Sequence, residues 1–438
     1  MKITLICPTF YTPNGDLFRP AKAMMPPLTP LFLAGLVPPR HSVSVVDEAI
    51  QALNFDDPVD LVGITSTSIN IRRAYEIADE YRRRGVKVVM GGIHVSTLPE
   101  EAMEHVDAVV LGEAEDSWPE LLDDVERGTL RKSYNRPARE SLEGLPFPRY
   151  DLIAADRYVK LPFSDLPMLP VQTTRGCPHN CDFCSVTRFW GKRIRFRPIP
   201  EVVAEIKASK GRAIFFTDDN FFANPKRTQE LCEALEPLKI RFMCQIDTTA
   251  RQRDELVRAT ARAGCFMAFI GVESLDPRSL AEFNKQFNKP DEYANLIQML
   301  RKHSIGVYAS IMFGLEHDDS HTVDTTVDFL IQNKVDLAAF FRLTPFPGTA
   351  LFGRMKERNQ LVDNQWWLHL GTGIRSLVKY ADKPCISDAL VKQANKRFYS
   401  IGSIVRRYTR RHRMRLIPLL LNLNSRKKML SSDGSCSF

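Results

Sequence analysis

The chain is 438 residues long, 44% hydrophobic and 26% charged, the composition of an ordinary globular protein with two or three domains of roughly 150 residues. No apolar run reaches the ~18 residues of a membrane-spanning helix, and MKITLICPTF at the start lacks the basic stretch and apolar core of an export signal. The formal net charge of +8 is local: residues 389–432 hold twelve Lys or Arg and no Asp or Glu, and the remainder is slightly acidic, with 48 basic and 52 acidic residues.

Residues 1–125 alternate short β-rich runs with helical stretches. KITLICP, SVSVVD, DLVGIT, KVVMGG and DAVVLG read as strands, with NIRRAYEIADEYRRRG and LPEEAMEHV as helices between them. Such alternation implies an α/β fold with a Rossmann-like, doubly wound parallel sheet, whose ligands sit beyond the C-terminal strand ends. No G-x-G-x-x-G follows the first strand, which argues against a dinucleotide site. The strand-end loops instead carry GITSTS (63–68), GGIHVSTLP (91–99) and LGEAEDSWPELL (111–122). Their small residues, Ser66, Ser68, Gly91 and Gly92, let backbone approach a bulky ligand closely; they would serve equally as tight turns with no ligand.

This constellation resembles the cobalamin-binding domain that precedes many radical S-adenosylmethionine (SAM) domains, including its Gly-Gly after the fourth strand and its Gly-Glu (Gly112, Glu113) after the fifth. PPLTPLFLAGL at 26–36 is similar to that family's first helix, with Thr29 where Gly is common. The resemblance implies cobalamin held by Ser66, Ser68, Gly91, Gly92, Gly112 and Glu113. The Asp-x-His-x-x-Gly motif that gives cobalt a histidine in some cobalamin proteins is missing, the first loop reading PTFYTPNGDLF. The lower face of cobalt is then expected to lack a histidine ligand. His94 is a candidate substitute, although a loop histidine more often serves hydrogen bonding.

Residues 126–165 read as a linker, made stiff by Pro146 and Pro148 in ESLEGLPFPRYDLI. A second α/β series spans 166–350, with strands PVQTTR, AIFFTDD, IRFMCQI, CFMAFIGVES, GVYASIMFGL and VDLAAFFRLTP. Six βα units suggest a partial (β/α)6 barrel with its site at the C-terminal strand ends. Directly after the first of these strands, TTRGCPHNCDFCSVTRFWG sets Cys177, Cys181 and Cys184 in a Cys-x3-Cys-x2-Cys run. A fully protein-ligated [4Fe–4S] cluster takes four cysteines, so three leave one iron open to a small molecule. A structural zinc site would want a fourth ligand, and His179 falls between two of the cysteines at an unsuitable spacing. The other six of nine cysteines are scattered, as suits a reducing compartment rather than a disulfide framework.

The triplet and its surroundings resemble the radical SAM superfamily. The resemblance implies a [4Fe–4S] cluster on Cys177, Cys181 and Cys184, SAM chelating the open iron, and Phe183 beside the cluster and adenine. FTDDNFFANPKR (216–227) is similar to the family's Asp-Asp-Asn-Phe segment; Asp218, Asp219 and Asn220 either bond SAM or substrate or cap the next helix. IGVESLD (270–276) puts Glu273 where relatives bind the SAM ribose hydroxyls. Arg195 and Arg197 in GKRIRFRP either pair with the SAM carboxylate or stay solvated, and IMFGL (311–315) and LTPFPGT (343–349) resemble the last two strand ends. In the implied chemistry, an electron from the cluster cleaves SAM to a 5′-deoxyadenosyl radical, which takes hydrogen from an unactivated C–H bond, and methylcobalamin supplies a methyl group to the substrate radical. No catalytic role is assigned to a side chain beyond the cluster ligands.

The expected organisation is 1–125 cobalamin-binding, 126–165 linker, 166–350 barrel and 351–438 a small, mainly helical region with a basic tail. The expected activity is methylation of an unactivated carbon in a biosynthetic intermediate. Radical ring closure or rearrangement without methyl transfer, and a non-enzymatic cobalamin- or SAM-binding sensor, are the alternatives. Expected partners are a small molecule, hydrophobic in one reading, and an electron donor such as flavodoxin or ferredoxin. SIVRRYTRRHRMRLIPLLLNLNSRKKML alternates arginine clusters with a leucine-rich run that Pro418 interrupts. It reads either as helices docked on the barrel with a solvated basic face or as a segment lying on an anionic membrane. The protein is then cytoplasmic, free or peripheral at the inner membrane, and no nucleic-acid recognition fold is visible. Trp366 and Trp367 in WWLHLG (366–371) either line the substrate site or pack in the core.

Overall fold

The apolar runs form two parallel six-stranded sheets in the computed structural model, which describes residues 1–371, 376–380, 387–408 and 416–431. The first contains β1 (Lys2–Cys7), β2 (Ser42–Asp47), β3 (Leu61–Thr65), β4 (Lys87–Gly91), β5 (Ala108–Leu111) and β6 (Ser133–Asn135), in the order β2-β1-β3-β4-β5-β6. Strand order reverses between β1 and β3, which opens a crevice at their C-terminal ends. Helix Ile71–Arg83 buries Ile71, Ala74, Ile77, Ala78 and Tyr81 on one stripe, the spacing of a helix laid on a sheet. The linker reading needs one adjustment: β6 lies within it and pairs with β5. Three residues with one inward side chain, Tyr134, carry no periodic signal. Tyr134 is anchored through its hydroxyl, which donates to Asp124 Oδ2 at 2.8 Å.

The second series is a partial barrel. Its strands are β7 (Leu169–Val171), then, after the short antiparallel ribbon of β8 (Thr174–Arg175) and β9 (Arg195–Phe196), β10 (Ala213–Phe216), β11 (Arg241–Ile246), β12 (Cys265–Glu273), β13 (Gly306–Phe313) and β14 (Leu337–Arg342). Neighbours in the barrel sheet follow chain order, all parallel. The run PVQTTR is therefore two strands, because the amides of Thr173 and Thr174 donate to the Asp218 carboxylate instead of to a sheet partner. Alternate residues divide the barrel strands. Ile214, Phe216, Phe242, Ala268, Ile270, Ala309, Ile311 and Phe340 belong to the buried core and share one face by the register. The register places Phe215, Met243, Gln245, Phe269, Tyr308, Ser310, Met312 and Phe341 together on the inner face. There the Phe269 and Tyr308 rings meet edge-on at 4.9 Å, and Phe341 is 48% exposed.

β14 is a barrel edge, and the C-terminal helices Ser387–Phe398, Ile401–Tyr408 and Leu416–Ser431 cover it, a common protection for unpaired strand groups. The Tyr399 hydroxyl donates to Ala338 O (2.7 Å) and accepts from Ala338 N (3.2 Å). Arg407 is buried, and burial lowers its pKa to about 10. It donates to Val335 O, Asp336 O, Phe398 O and Asn422 Oδ1 at 2.8–3.0 Å, with Phe398 stacked 3.8 Å beneath. One arginine of the basic tail is thus a structural peg. Pro418 sits in the first turn of Leu416–Ser431, where a missing N–H breaks no intrahelical bond. Residues 409–415 and 432–438 of that tail lie outside the described residues. Trp366 and Trp367 are buried packing: Trp367 Nε1 donates to Glu101 Oε2 at 3.1 Å, so the C-terminal region also joins the first domain. Among the described residues no helix is long and apolar enough to cross a membrane.

Arg407→Ala removes the peg and leaves Val335 O and Asn422 Oδ1 without their donor; it should destabilise the C-terminal helices by about 3 kcal/mol, seen as a lower urea midpoint and faster trypsin cleavage at the Lys and Arg residues of 387–408.

Candidate active site

The three cysteines lie on the loop between β8 and β9, and its shape is set by anchors at both ends. At its start, Asp218 Oδ1 accepts from Thr173 N (2.6 Å) and Thr174 N (2.9 Å), and Oδ2 accepts from Thr173 Oγ1 (2.6 Å). Gly176 follows at φ +96°, where a Cβ would stand 2.5 Å from Arg193 O, so only glycine lets the two loop ends close. Further on, His179 Nε2 lies 2.7 Å from Asp247 Oδ2, and its ring stacks on Phe287 at 3.8 Å. Asn220 Nδ2 donates to the same Asp247 oxygen at 2.7 Å. Burial would raise the Asp247 pKa, but the bonds from His179 and Thr249 win and hold it at about 2. Asp182 N donates to Phe283 O (3.0 Å) and its carboxylate meets Arg354 Nη1 at 2.5 Å. The loop is thereby tied to the segments after β11, β12 and β14.

None of the three thiols is in a disulfide. Burial pushes Cys177 up to about 12 and Cys181 up to about 11, while Lys285 acts in the opposite direction on Cys181 and Cys184. Lys285 Nζ donates to Glu273 Oε1 at 2.7 Å and stands 5.5 Å from the Phe183 ring centre. Burial disfavours the ammonium charge, but Glu273 and the neighbouring thiols outweigh it and raise its pKa. Glu273 ends β12 at φ +64°, beyond a register shift; a non-glycine residue there is a strained backbone position of the kind that gathers at functional sites. Its second oxygen accepts from Ser310 Oγ at 3.0 Å. On the facing strand end, burial raises the Asp219 carboxyl to about 6, with Asp218 adding to the effect.

A cavity of about 300 Å³ opens at the C-terminal ends of β3, β4 and β5, a volume in the range of small-molecule sites. Its floor includes Ser66, Gly91, Gly92, Gly112 and Glu113, helix Leu28–Gly35 contributes Phe32, and Gln172, Arg175 and Trp190 close it from the barrel side. Gly92 lies at φ +110°, and a Cβ there would fall 2.3 Å from Ser66 O; glycine is what lets the two strand ends meet. Ser66 Oγ, Trp118 Nε1 and Glu115 Oε2 line this space buried and without a hydrogen-bond partner among the described residues. Buried polar atoms in that state call for a ligand or solvent partner.

The cavity and the cysteine loop share a wall of charge. Arg175 Nη1 donates to Glu113 Oε2 at 2.9 Å, Arg175 Nη2 lies 2.5 Å from Glu115 Oε1, and Arg195 Nη2 pairs with Glu113 Oε1. Arg195 Nη1 also donates to Arg139 O at 2.8 Å, and the Arg175 guanidinium lies 4.8 Å over Trp190.

Of the residues anticipated for cofactors, Ser66, Gly91, Gly92, Gly112 and Glu113 come together on the cavity. Ser68 does not: its Oγ is 2.9 Å from His94 Nδ1, on the far side of the loop. His94 Nε2 is 3.0 Å from Glu101 Oε1, so both ring nitrogens are engaged inside the first domain. Asp218 accepts three bonds from Thr173 and Thr174 as a loop anchor. Arg195 is occupied by Glu113, and Arg197 pairs with Glu205. Phe183 packs edge-on to Phe283 at 5.9 Å. Lys285, Asp247, Arg175 and Glu115 were not singled out. Arg175 stands in the motif itself, but a lone arginine beside a loop carries no mark of the partner it will meet 62 positions away.

The donor sets suit the implied groups. Three unpaired thiols on one anchored loop can each ligate a different iron of a cube. Among the described residues no three His, Cys, Asp or Glu converge on a single metal ion. The orphaned polar atoms and glycine floor of the cavity suit a ligand rich in hydrogen-bonding groups.

Asp218→Ala should strand two backbone N–H groups and a hydroxyl at the loop's root, costing about 3 kcal/mol. The expected result is a lower thermal midpoint together with less iron retained per chain after reconstitution.

A profile of the B12 binding domain matches residues 38–122, and one of the Radical SAM superfamily matches residues 171–330. The chain is 32% identical to the bacteriochlorophyllide d C-8(2)-methyltransferase of Chlorobaculum tepidum, over 76% of this chain and 77% of the relative. It is 33% identical to the bacteriochlorophyllide d C-12(1)-methyltransferase of the same organism, over 77% and 75%. In fold, it superposes on the cobalamin-dependent SAM radical enzyme OxsB with a TM-score of 0.70, at 15% identity, over 98% of this chain and 71% of that one.

Proposed function

The chain belongs to the family of radical SAM enzymes that carry a B12-binding domain, and from that premise we propose that it is a C-methyltransferase acting on an unactivated carbon of a bulky apolar molecule. The observation that carries this reading is the shared wall: the cysteine loop and the glycine-floored cavity meet at Arg175 and Glu113, so the two halves of the chemistry converge on one space. When bound, the cluster, SAM and cobalamin supply the radical and the methyl group.

The protein's own part is to hold, orient and exclude. Cys177, Cys181 and Cys184 would ligate the cluster and leave one iron for SAM. Glu273, fixed by Lys285 and Ser310, keeps lone pairs free to accept from a vicinal diol such as the SAM ribose. Ser66, Gly91, Gly92, Gly112 and Glu113 would hold cobalamin. Both ring nitrogens of His94 are bonded to protein, so this histidine would not hold the cofactor's metal. The inner barrel face, with Phe215, Phe269, Tyr308, Met312 and Phe341, supports an apolar substrate, and two relatives are, by name, methyltransferases of bacteriochlorophyllide d. An electron donor of the flavodoxin or ferredoxin type would serve the cluster.

With strong reductant under anaerobic conditions, the reconstituted protein should convert SAM to 5′-deoxyadenosine and methionine. Cys181→Ala should abolish that conversion, because two thiolates no longer hold a cube with one open iron. With methyl-labelled SAM and bacteriochlorophyllide d as a trial acceptor, label should enter the acceptor. An acceptor that is chemically altered without label, alongside 5′-deoxyadenosine, would contradict methyl transfer and leave a radical cyclase or rearrangement.

A further inference from the structure

The loop that carries the three cysteines starts at Arg175 and ends at Arg195, and these two arginines stand directly opposite each other on the β8–β9 ribbon. Like charges in that register repel. Neither is solvated: Arg175 is 5% and Arg195 6% exposed. Buried guanidinium ions persist only when paired, and the partners come from the other domain. Glu113 sets one carboxylate oxygen against each arginine, and Glu115 makes the second contact to Arg175. The result is a neutral, buried quartet. Its members Glu113, Glu115 and Arg175 are also walls of the cavity.

Resting on the cofactor reading above, we infer that Glu113 is a positioning residue that clamps both ends of the cysteine loop from the first domain, and so couples cobalamin binding to cluster retention. A ligand in the cavity orders the 112–115 turn, and that turn holds Arg175 and Arg195 in register. With its ends in register, the loop presents its thiols together. Linkage makes the effect reciprocal: the factor by which the cluster strengthens cobalamin binding is the factor by which cobalamin strengthens cluster retention. A carboxylate with only a packing role would weaken both and leave their ratio unchanged.

The test is equilibrium dialysis of hydroxocobalamin against the full-length protein, once with its reconstituted cluster and once after iron removal by a chelator. The cluster-loaded form should bind on the order of 10-fold more tightly. In Glu113→Gln the ratio should fall towards one, and Glu113→Asp should recover part of it. If Glu113→Gln does not fold, Arg195→Lys keeps the charge but loses the guanidinium geometry, and the same loss is expected. Equal affinities of the two wild-type forms, or a full ratio in the folded variant, would overturn the coupling and leave the cofactor assignment standing. Failure of both wild-type forms to bind hydroxocobalamin would overturn the coupling and the cofactor assignment together.

Discussion

A charged side chain taken out of water must meet its counter-charge, and the seam between the two domains is built around that requirement. Arg175 and Arg195 frame the cysteine loop, and their cross-strand placement would push them apart. Glu113 and Glu115 reach them from the end of β5. The first sheet therefore does more than form a cavity of its own: it supplies the charges without which the root of the cysteine loop is electrostatically unstable. The domain order in the chain, sheet first and barrel second, meets at this contact.

Around that seam the loop is immobilised by groups that never touch its thiols. Asp218 takes the backbone at its root, Asp247 holds His179, and Arg354 holds Asp182. These tethers come from β10, β11 and the segment after β14, so the barrel as a whole fixes the geometry of the cysteines. Glu273 sits across from them on strained backbone, with Lys285 bridging towards Cys181 and Cys184. Burial raises the Cys181 and Cys184 thiols, and the Lys285 charge opposes that rise without reversing it. The C-terminal helices serve the same rigidity by covering the barrel's open edge through Arg407 and Tyr399.

What was legible in the sequence was local. The Cys-x3-Cys-x2-Cys spacing, the strand-end glycines and the six βα units each depend on residues close together in the chain, and each found its place. Roles set by distant partners were not legible. Asp218 read either as bonding a ligand or as capping the next helix; instead it accepts from two amides and a hydroxyl 44–45 positions away. Ser68 and Ser66 read alike, yet only Ser66 faces the cavity, because His94 draws Ser68 aside. The basic tail read either as docked helices with a solvated basic face or as a membrane-surface segment, and Arg407 within it is buried among four acceptors. β6 escaped notice because one inward residue makes no period.

The cysteine loop and the glycine-floored cavity face one another across the Arg175–Glu113 contact. The most direct test of that arrangement is the electron spin relaxation of cob(II)alamin in the fully loaded, reduced protein. Fast relaxation from a neighbouring paramagnetic cluster is expected, and it should be lost when Cys177, Cys181 and Cys184 are all replaced by alanine. Relaxation unchanged by loss of the cluster would contradict it.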